Sequence, residues 1–243
     1  MHSFNITKLE KTVSTNTHMS ALLSDKSIGC NSVVTAKFQS HGKGQGDNIW
    51  VSKPGKNLLC SILICPDFIQ AHDQFRISKI SAIAINDTLQ DFNIKGVVKW
   101  PNDTLVNKKK IAGILIENSL MEDAIITSVI GIGLNVNQRK FRGVSNATSI
   151  ALETGIEHDI DKVLNKLLEK FEFWYNKLGV GDSDEIDIEY FENLYGLNRE
   201  LPFKMGDMNI TATITGVGES GKLYLRRSDG KIIKAAFREI EFL

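Results

Sequence analysis

No net charge, no long apolar run and little cysteine characterise this sequence. Its 29 basic side chains are balanced by 29 acidic ones, which argues against a broad electrostatic footprint for nucleic acid or an anionic membrane and leaves room for a small basic site. No stretch approaches the roughly 20 apolar residues of a membrane span. The opening residues, MHSFNITKLEKTVSTNT, contain neither an apolar h-region nor a small-residue cleavage site, so no secretory signal is read there. Cysteine occurs at Cys30, Cys60 and Cys65, without metal-ligand spacing. An odd count with no export signal predicts reduced thiols in a cytoplasmic protein. The five histidines are scattered, and no cluster with cysteine or carboxylate suggests a structural metal. Internal repeats and low-complexity linkers are also missing.

What remains is a globular composition, 42% apolar and 24% charged. The length suits one large domain, or one domain with a small companion. Ser14 and Thr15 are good helix N-caps before a weak helix bearing Met19, Leu22 and Leu23. NSVVTAKFQ (31–39) and LLCSILI (58–64) read as strands, the second buried. Residues 74–92 form an amphipathic helix, with Ile77, Ile80, Ile83, Ala84 and Leu89 near one face. Strands follow around 96–100, 104–106, 111–118 and 124–137, with NKKK (107–110) as a hairpin turn. The strongest helix covers 159–178 and a shorter one 184–195. After residue 196 the pattern alternates with period two, and GESG and SDG supply turns. This all-β module of about 45 residues would be marginal alone and should pack on the larger unit. The reading is an α+β chain divided into 1–196 and 197–243, its larger unit a mixed or antiparallel sheet with helices on one side.

Three stretches carry residues suited to chemistry. HGKGQGDNIW (41–50) has Gly42, Gly44 and Gly46 at alternate positions. Such glycines permit positive φ and close approach, and consecutive N–H groups beside Lys43 can cradle a phosphate. The spacing is neither a P-loop nor a dinucleotide fingerprint, and a plain connecting loop fits equally well. With no apolar anchor before Ile49 and Trp50, the loop is expected to be mobile without ligand. In KWPNDTLVNKKKIAGIL, Pro101 constrains Trp100 to extended geometry. Asn102 and Asp103 stand at a strand end, where an Asx-turn competes with ligand contact. Lys108 and Lys109 read as a solvated turn, whereas Lys110 opens the next strand and is able to point toward a cleft. GIGLNVN (131–137) aligns Gly131 and Gly133 on one face, continued by Asn135 and Asn137. Either a ligand approaches there or the strand packs tightly on the 159–178 helix.

Taken together, STN (14–16), the 39–50 stretch, KWPND (99–103), K-x-x-G-I-L-x-E (110–117) and GIGLNVN resemble the biotin–protein ligase family, in its order and near its spacings. The likeness runs over nearly the whole chain. Each motif is weak alone; five in order are specific. The glycine loop departs from the family's GRGRxGRxW or GKGRGGNxW pattern. Lys43 replaces the usual arginine, Gln45 a frequent arginine, and Asp47 stands where glycine is common. The resemblance implies a class II synthetase-like catalytic domain over 1–196 and a small SH3-like C-terminal β-barrel over 197–243.

It also implies a reaction. ATP and biotin would give biotinyl-5′-AMP, with Mg2+ accompanying the ATP and no dedicated metal cage. A lysine of a carboxylase's biotin carrier domain would then take the biotin. The family pattern makes Lys110 and Lys43 the catalytic cations. Ser14, Thr15, Asn16, Gln39, Gly42, Gly44, Gln45, Gly113 and Gly133 join those two lysines around biotin. Gly42, Lys43, Gly44, Trp50, Asn102, Asp103, Lys110, Gly131, Asn135 and Glu239 surround the nucleotide or adenylate. The STN motif at 14–16 leaves no room for a preceding DNA-binding domain, so no nucleic-acid partner and no membrane are expected. The resemblance leaves a homodimer open, although no exposed apolar strand marks such a face. Competing readings are a lipoate or octanoyl ligase-type acyltransferase, whose R-R-x-S-G-G-G loop is missing, and a non-catalytic biotinyl-AMP-binding regulator.

Overall fold

A computed structural model describes residues 3–141 and 146–243. In chain order its elements are β1 (Asn5–Thr12), α1 (Thr15–Ser24), β2 (Ser32–Gln39), β3 (Gly42–Lys43), β4 (Ile49–Trp50), β5 (Leu58–Ile64), α2 (Phe75–Gln90), β6 (Val97–Lys99), β7 (Asp103–Val106), β8 (Lys109–Met121) and β9 (Ala124–Leu134). Then come α3 (Ile150–Thr154), α4 (Ile160–Gly179), α5 (Ser183–Glu192), β10 (Glu200–Met205), β11 (Met208–Val217), β12 (Leu223–Arg227), β13 (Ile232–Ala235) and β14 (Glu241–Phe242).

Seven strands form one sheet in the order β1-β2-β5-β9-β8-β7-β6. β1 and β2 run parallel and the other neighbours antiparallel, so the sheet is mixed, as expected. Its interior strand β5 is buried at every position, which is why it reads as a continuous apolar run instead of an alternating one. α4 starts where the Asp159 carboxylate accepts from the Asp161 and Lys162 N–H groups, satisfying donors that have no partner within the helix. Its buried stripe of Val163, Leu164, Leu167, Leu168, Phe171, Trp174 and Leu178 packs with α2 over one face of the sheet.

The period of two along the strands decides what lies on the other face. Val33, Ile62 and Ile130 join the α2/α4 core, whereas Val34, Leu63 and Val129 form a second cluster with Met19 of α1. Helices therefore cover both faces, a correction to the one-sided arrangement. α1 shields only part of its face, and the uncovered part adjoins the glycines of β9. A second correction concerns the lysine run. Asn107 and Lys108 both have positive φ, 50° and 64°, so they are the two-residue hairpin turn. Lys109 and Lys110 already belong to β8.

The C-terminal strands form a five-stranded antiparallel sheet, β13-β12-β11-β10-β14. Among the described residues no ladder closes it into a barrel; a Phe237–Ile240 bridge lies between its two edge strands in the chain. The two sheets share one contiguous apolar core. Trp100 is 3% exposed, and its indole N–H donates to the Gly221 carbonyl at 2.8 Å. That bond ties the turn after β6 to the C-terminal sheet.

Cys30 and Cys65 are joined in a disulfide, with Cα atoms 5.7 Å apart, and Cys60 alone is free. This corrects the expectation of three reduced thiols. Strand pairing brings the loop before β2 beside the end of β5, which a spacing of 35 residues could not reveal. Alkylation of the denatured, unreduced protein should label one thiol. Cys30→Ser should lower stability by roughly 3 kcal/mol through the closed loop's lost constraint. Three labelled thiols, or equal denaturation midpoints with and without reductant, would rule the bond out.

Candidate active site

The uncovered part of the sheet floors a cavity of about 390 Å³, large enough for a small organic ligand. Its shape starts from residues without side chains. Gly113 of β8 pairs directly with Gly133 of β9, and the Trp50 indole lies across both. A Cβ at Gly133 would collide with Trp50 Cε2, and one at Gly113 would lie 3.1 Å from Cζ3. Two residue pairs along, on the same face, a Cβ at Gly131 would collide with Asn16 Oδ1. The β9 glycines therefore make room for Asn16 and Trp50, and the alternative of packing on α4 is set aside. Trp50 Nε1 and Gln45 Oε1 are buried without a hydrogen-bond partner. A donor and an acceptor thus stand open in the lining, and buried polar groups are seldom left so.

A hydrogen-bonded chain crosses one end. Gln39 Oε1 accepts from the Thr15 N–H at 2.7 Å and from its hydroxyl at 3.1 Å. Ser61 Oγ lies 2.8 Å from Thr15 Oγ1 and 2.6 Å from Asn16 Oδ1. A side-chain amide oxygen cannot donate, so the Ser61 proton goes to Asn16. Asn16 Nδ2 donates to the Leu115 carbonyl and, at 2.7 Å, to Glu117, which also meets Lys43 at 3.6 Å. Ser14, Thr15 and Asn16 are all buried. The first turn of α1 is polar because it faces this cavity, while Met19 one turn on faces the apolar cluster.

The other end is charged. Lys110 Nζ lies 2.6 Å from Asp103 Oδ1 and 5.6 Å from the centre of the Trp50 ring. Ile111 is an extra residue on β8, opposite the step from Thr104 to Leu105. Such a bulge bends the strand and re-aims a side chain; here the neighbouring Lys110 faces the cavity. Asn102 Nδ2 donates to the Ile114 carbonyl and its own carbonyl accepts from Ile114 N–H, so it grips β8 in place of an Asx-turn. Cys60 also lines the space. Burial pushes its thiol up to about 12, so it stays protonated and is no nucleophile.

Ser14, Thr15, Asn16, Gln39, Lys43, Gly44, Gln45, Trp50, Asn102, Asp103, Lys110, Gly113, Gly131 and Gly133 meet around this one cavity. Three expected residues do not line it. Gly42 pairs with Trp50 in the β3–β4 hairpin, where a Cβ would sit 2.5 Å from the Trp50 carbonyl. Asn135 donates to the Thr148 carbonyl, and the Thr148 N–H donates to the carbonyl of Lys110, so Asn135 props the strand end that carries the lysine. The Glu239 carboxylate accepts from its own turn, at Ala236 N–H. Sequence reasoning missed Ser61, hidden in an apolar strand, Lys99 at the end of β6, and Phe237, Ile240, Glu241 and Phe242, which the C-terminal sheet brings to the rim. Glu117 closes the K-x-x-G-I-L-x-E motif and offered the one available signal.

Against known proteins, a model of the Biotin/lipoate A/B protein ligase family matches residues 9–144, more than half of the chain. The bifunctional ligase/repressor BirA of Bacillus subtilis is 27% identical over 205 residues, covering 82% of this chain and 62% of its own length. The chain thus spans less than two thirds of that relative. The biotin–[acetyl-CoA-carboxylase] ligase of Paracoccus denitrificans is 27% identical over 237 residues, covering 94% of this chain and 97% of its own. Among solved structures, the biotin protein ligase of Aquifex aeolicus in complex with biotin and ATP matches with a TM-score of 0.82 at 24% identity, covering 98% of both chains. At that identity the likeness speaks for the fold.

The crowding at Gly131 makes a direct test of this geometry. Gly131→Ala should cost about 1–3 kcal/mol by overpacking against Asn16. In an Asn16→Ala background the same change should cost little, because the obstructing amide is gone. Urea denaturation of the four proteins measures the coupling. Equal costs in both backgrounds would mean that Asn16 is not what the glycine accommodates.

Proposed function

The chain belongs to the biotin/lipoate A/B protein ligase family, and on that premise we propose that it is a biotin–protein ligase. In the first step a carboxylate oxygen of biotin attacks the α-phosphorus of ATP. The bond to the β-phosphate breaks, pyrophosphate leaves and biotinyl-5′-AMP forms. In the second, the neutral amine of a carrier-domain lysine attacks the acyl carbon. The acyl–phosphate bond breaks, AMP leaves, and the nitrogen loses a proton to become an amide.

The observation that carries this reading is the polarity of the cavity along its length. One end offers neutral hydrogen-bonding groups on Ser14, Thr15, Asn16 and Gln39, suited to an uncharged ureido ring. The other offers Lys110, held between Asp103 and the Trp50 ring, suited to a carboxylate meeting a phosphate. Both reactants are anions, so a cation fixed between them lowers their repulsion and stabilises the charge that gathers on the α-phosphate. Lys43 and the Gly42–Gly44 backbone serve the same end from the loop, with Gln45 beside them. Gly113 and Gly133 let the Trp50 indole lie close against the sheet, where it walls the path of the acyl chain. Trp50, Asn102 and Asp103 face the nucleotide, Gly131 lies instead against Asn16 at the ureido end, and Asn135 and Glu239 act at one remove, through backbone they support. The names of the relatives from Paracoccus and Aquifex support biotin over lipoate as the substrate.

Magnesium fits as a companion of ATP. Asp103 and Glu241 are carboxylates of the lining, and Asp103 is already paired with Lys110. The phosphates would therefore supply most of its oxygen ligands, and the metal would shield their charge. The acceptor is the biotin carrier domain of a carboxylase, in agreement with the named activity of the Paracoccus relative. The balance of 29 basic and 29 acidic groups supports a reading without nucleic acid or membrane. Among the described residues no helix is long and apolar enough to cross a membrane. We place the protein in the cytoplasm, where ATP is available; the Cys30–Cys65 bond pulls the other way, because disulfides are uncommon there. We further propose that residues 1–196 are the catalytic domain and 197–243 an SH3-like companion that completes its rim.

The lysine run gives the sharpest test. Lys110→Ala should slow pyrophosphate release by about 10²–10³-fold, the usual cost of one preorganised charge-stabilising group. Lys108 stands in the turn and Lys109, the first residue of β8, is exposed, so alanine at either should leave the rate within a few-fold. Equal rates in the three variants would defeat the assignment of Lys110. Absence of biotinylated carrier with the wild-type chain, by mass spectrometry after incubation with ATP and biotin, would defeat the ligase reading itself.

A further inference from the structure

The glycine loop is tied to the C-terminal sheet by a contact that none of its motif residues announces. Arg238 Nη2 donates to the Asp47 carboxylate at 2.9 Å. Its guanidinium also lies against Gly46, filling the space where a Cβ would sit. Gly46 turns there with φ of 67°. Around this contact the loop and the C-terminal sheet meet again: Gln45 and Phe237 line both the main cavity and an adjoining one of about 290 Å³.

Arg238 adopts φ of 71°, a left-handed conformation that ordinary side chains seldom occupy. The Ala236–Glu239 turn imposes it. Glu239 N–H donates to the Ala236 carbonyl at 3.1 Å and its carboxylate accepts from Ala236 N–H at 2.7 Å. A glycine would sit there with less strain, so the backbone gives no reason for arginine; the contact with Asp47 and Gly46 does. Two of the loop's three departures from its family pattern, Gln45 and Asp47, then belong together. The loop has Gln45 where a basic residue is frequent, and it has Asp47, the partner through which a cation from another part of the chain reaches it.

We propose that Arg238 is a positioning residue: it clasps the glycine loop to the C-terminal sheet through Asp47 and slows the opening through which a bound adenylate escapes. The effect on the adenylate rests on the ligase reading; the clasp does not. Both side chains are largely exposed, 58% for Arg238 and 98% for Asp47. The tie is therefore one that thermal motion breaks often, as exposed ion pairs are weak and screened by salt. It biases the loop toward closure without locking it.

Hydrogen exchange of residues 42–48 in the ligand-free full chain tests the clasp. Arg238→Gly should speed exchange about two- to five-fold at low salt without lowering the melting temperature, since the turn suits glycine. Arg238→Lys should recover part of the protection, and the exchanged pair Asp47→Arg with Arg238→Asp should restore it. In about 1 M salt the difference between wild type and Arg238→Gly should shrink toward none. Exchange that is equal in the two proteins at low salt, or a difference that salt leaves unchanged, overturns the clasp. Release of pre-formed biotinyl-AMP should be faster from Arg238→Gly by a similar factor. Equal release with faster loop exchange overturns the link to the adenylate. A wild-type chain that binds no biotinyl-AMP refutes the ligase reading, and with it that link, while the ligand-free exchange still judges the clasp.

Discussion

Two strands face each other with no side chains between them and the cavity, and the site follows from that gap. Gly113 and Gly133 are partners across β8 and β9, so their missing Cβ atoms open a single trough. The Trp50 indole rests in it, and the cation of Lys110 sits over the same ring. The trough requires the register of the two strands to be held, because a slip by one residue turns every side chain to the opposite face. Apolar residues on the reverse side, Ile114, Ile130 and Ile132 among them, hold it by their burial in the main core. The site is thus the empty side of a sheet whose full side supplies the stability.

The polar chain from Gln39 to Lys43 shows how such a gap is kept in shape. Burying hydroxyl and amide groups is unfavourable unless each finds a partner. Here Thr15 gives its hydroxyl proton to Gln39, Ser61 gives its own to Asn16, and Asn16 donates to Glu117, which has partial access to water and a lysine beside it. Members of such a network fix one another's rotamers, so a ligand meets groups already oriented. This is also why α1 begins with polar residues and continues with Met19: its first turn belongs to the cavity and its second to an apolar cluster.

Cations at the site are held by nearby carboxylates, Lys110 by Asp103, Lys43 by Glu117 and Arg238 by Asp47. These pairs are partly or largely exposed, so each contributes little to folding. Their value lies in placement. A lysine kept beside an aspartate and an indole loses less freedom when an anion arrives than one moving freely in water. The C-terminal sheet takes part as well, through Phe237, Ile240, Glu241 and Phe242 on the rim and the bond from Trp100 to Gly221. It closes a side of the cavity that the seven-stranded sheet leaves open.

By itself the sequence determined the elements and much of the cavity's membership. The apolar stripe of α4, the uninterrupted apolar run of β5 and the alternation after residue 196 are local signals, since an element's periodicity records which of its sides faces water. The motif residues could be named because they stand in recognisable order; their meeting around one space was an inference from resemblance. Only the tertiary structure decided that Gly131 makes room for Asn16, that Ser61 joins the hydrogen-bonded chain, that Asn135 and Glu239 support backbone instead of facing the cavity, and that Cys30 reaches Cys65. It likewise decided that α1 takes the face opposite α2 and α4, and that Arg238 meets Asp47 across 191 residues of chain. These contacts depend on the order in which strands pair. That order is set by the summed burial of whole strand faces, and no single residue or spacing along the chain records it.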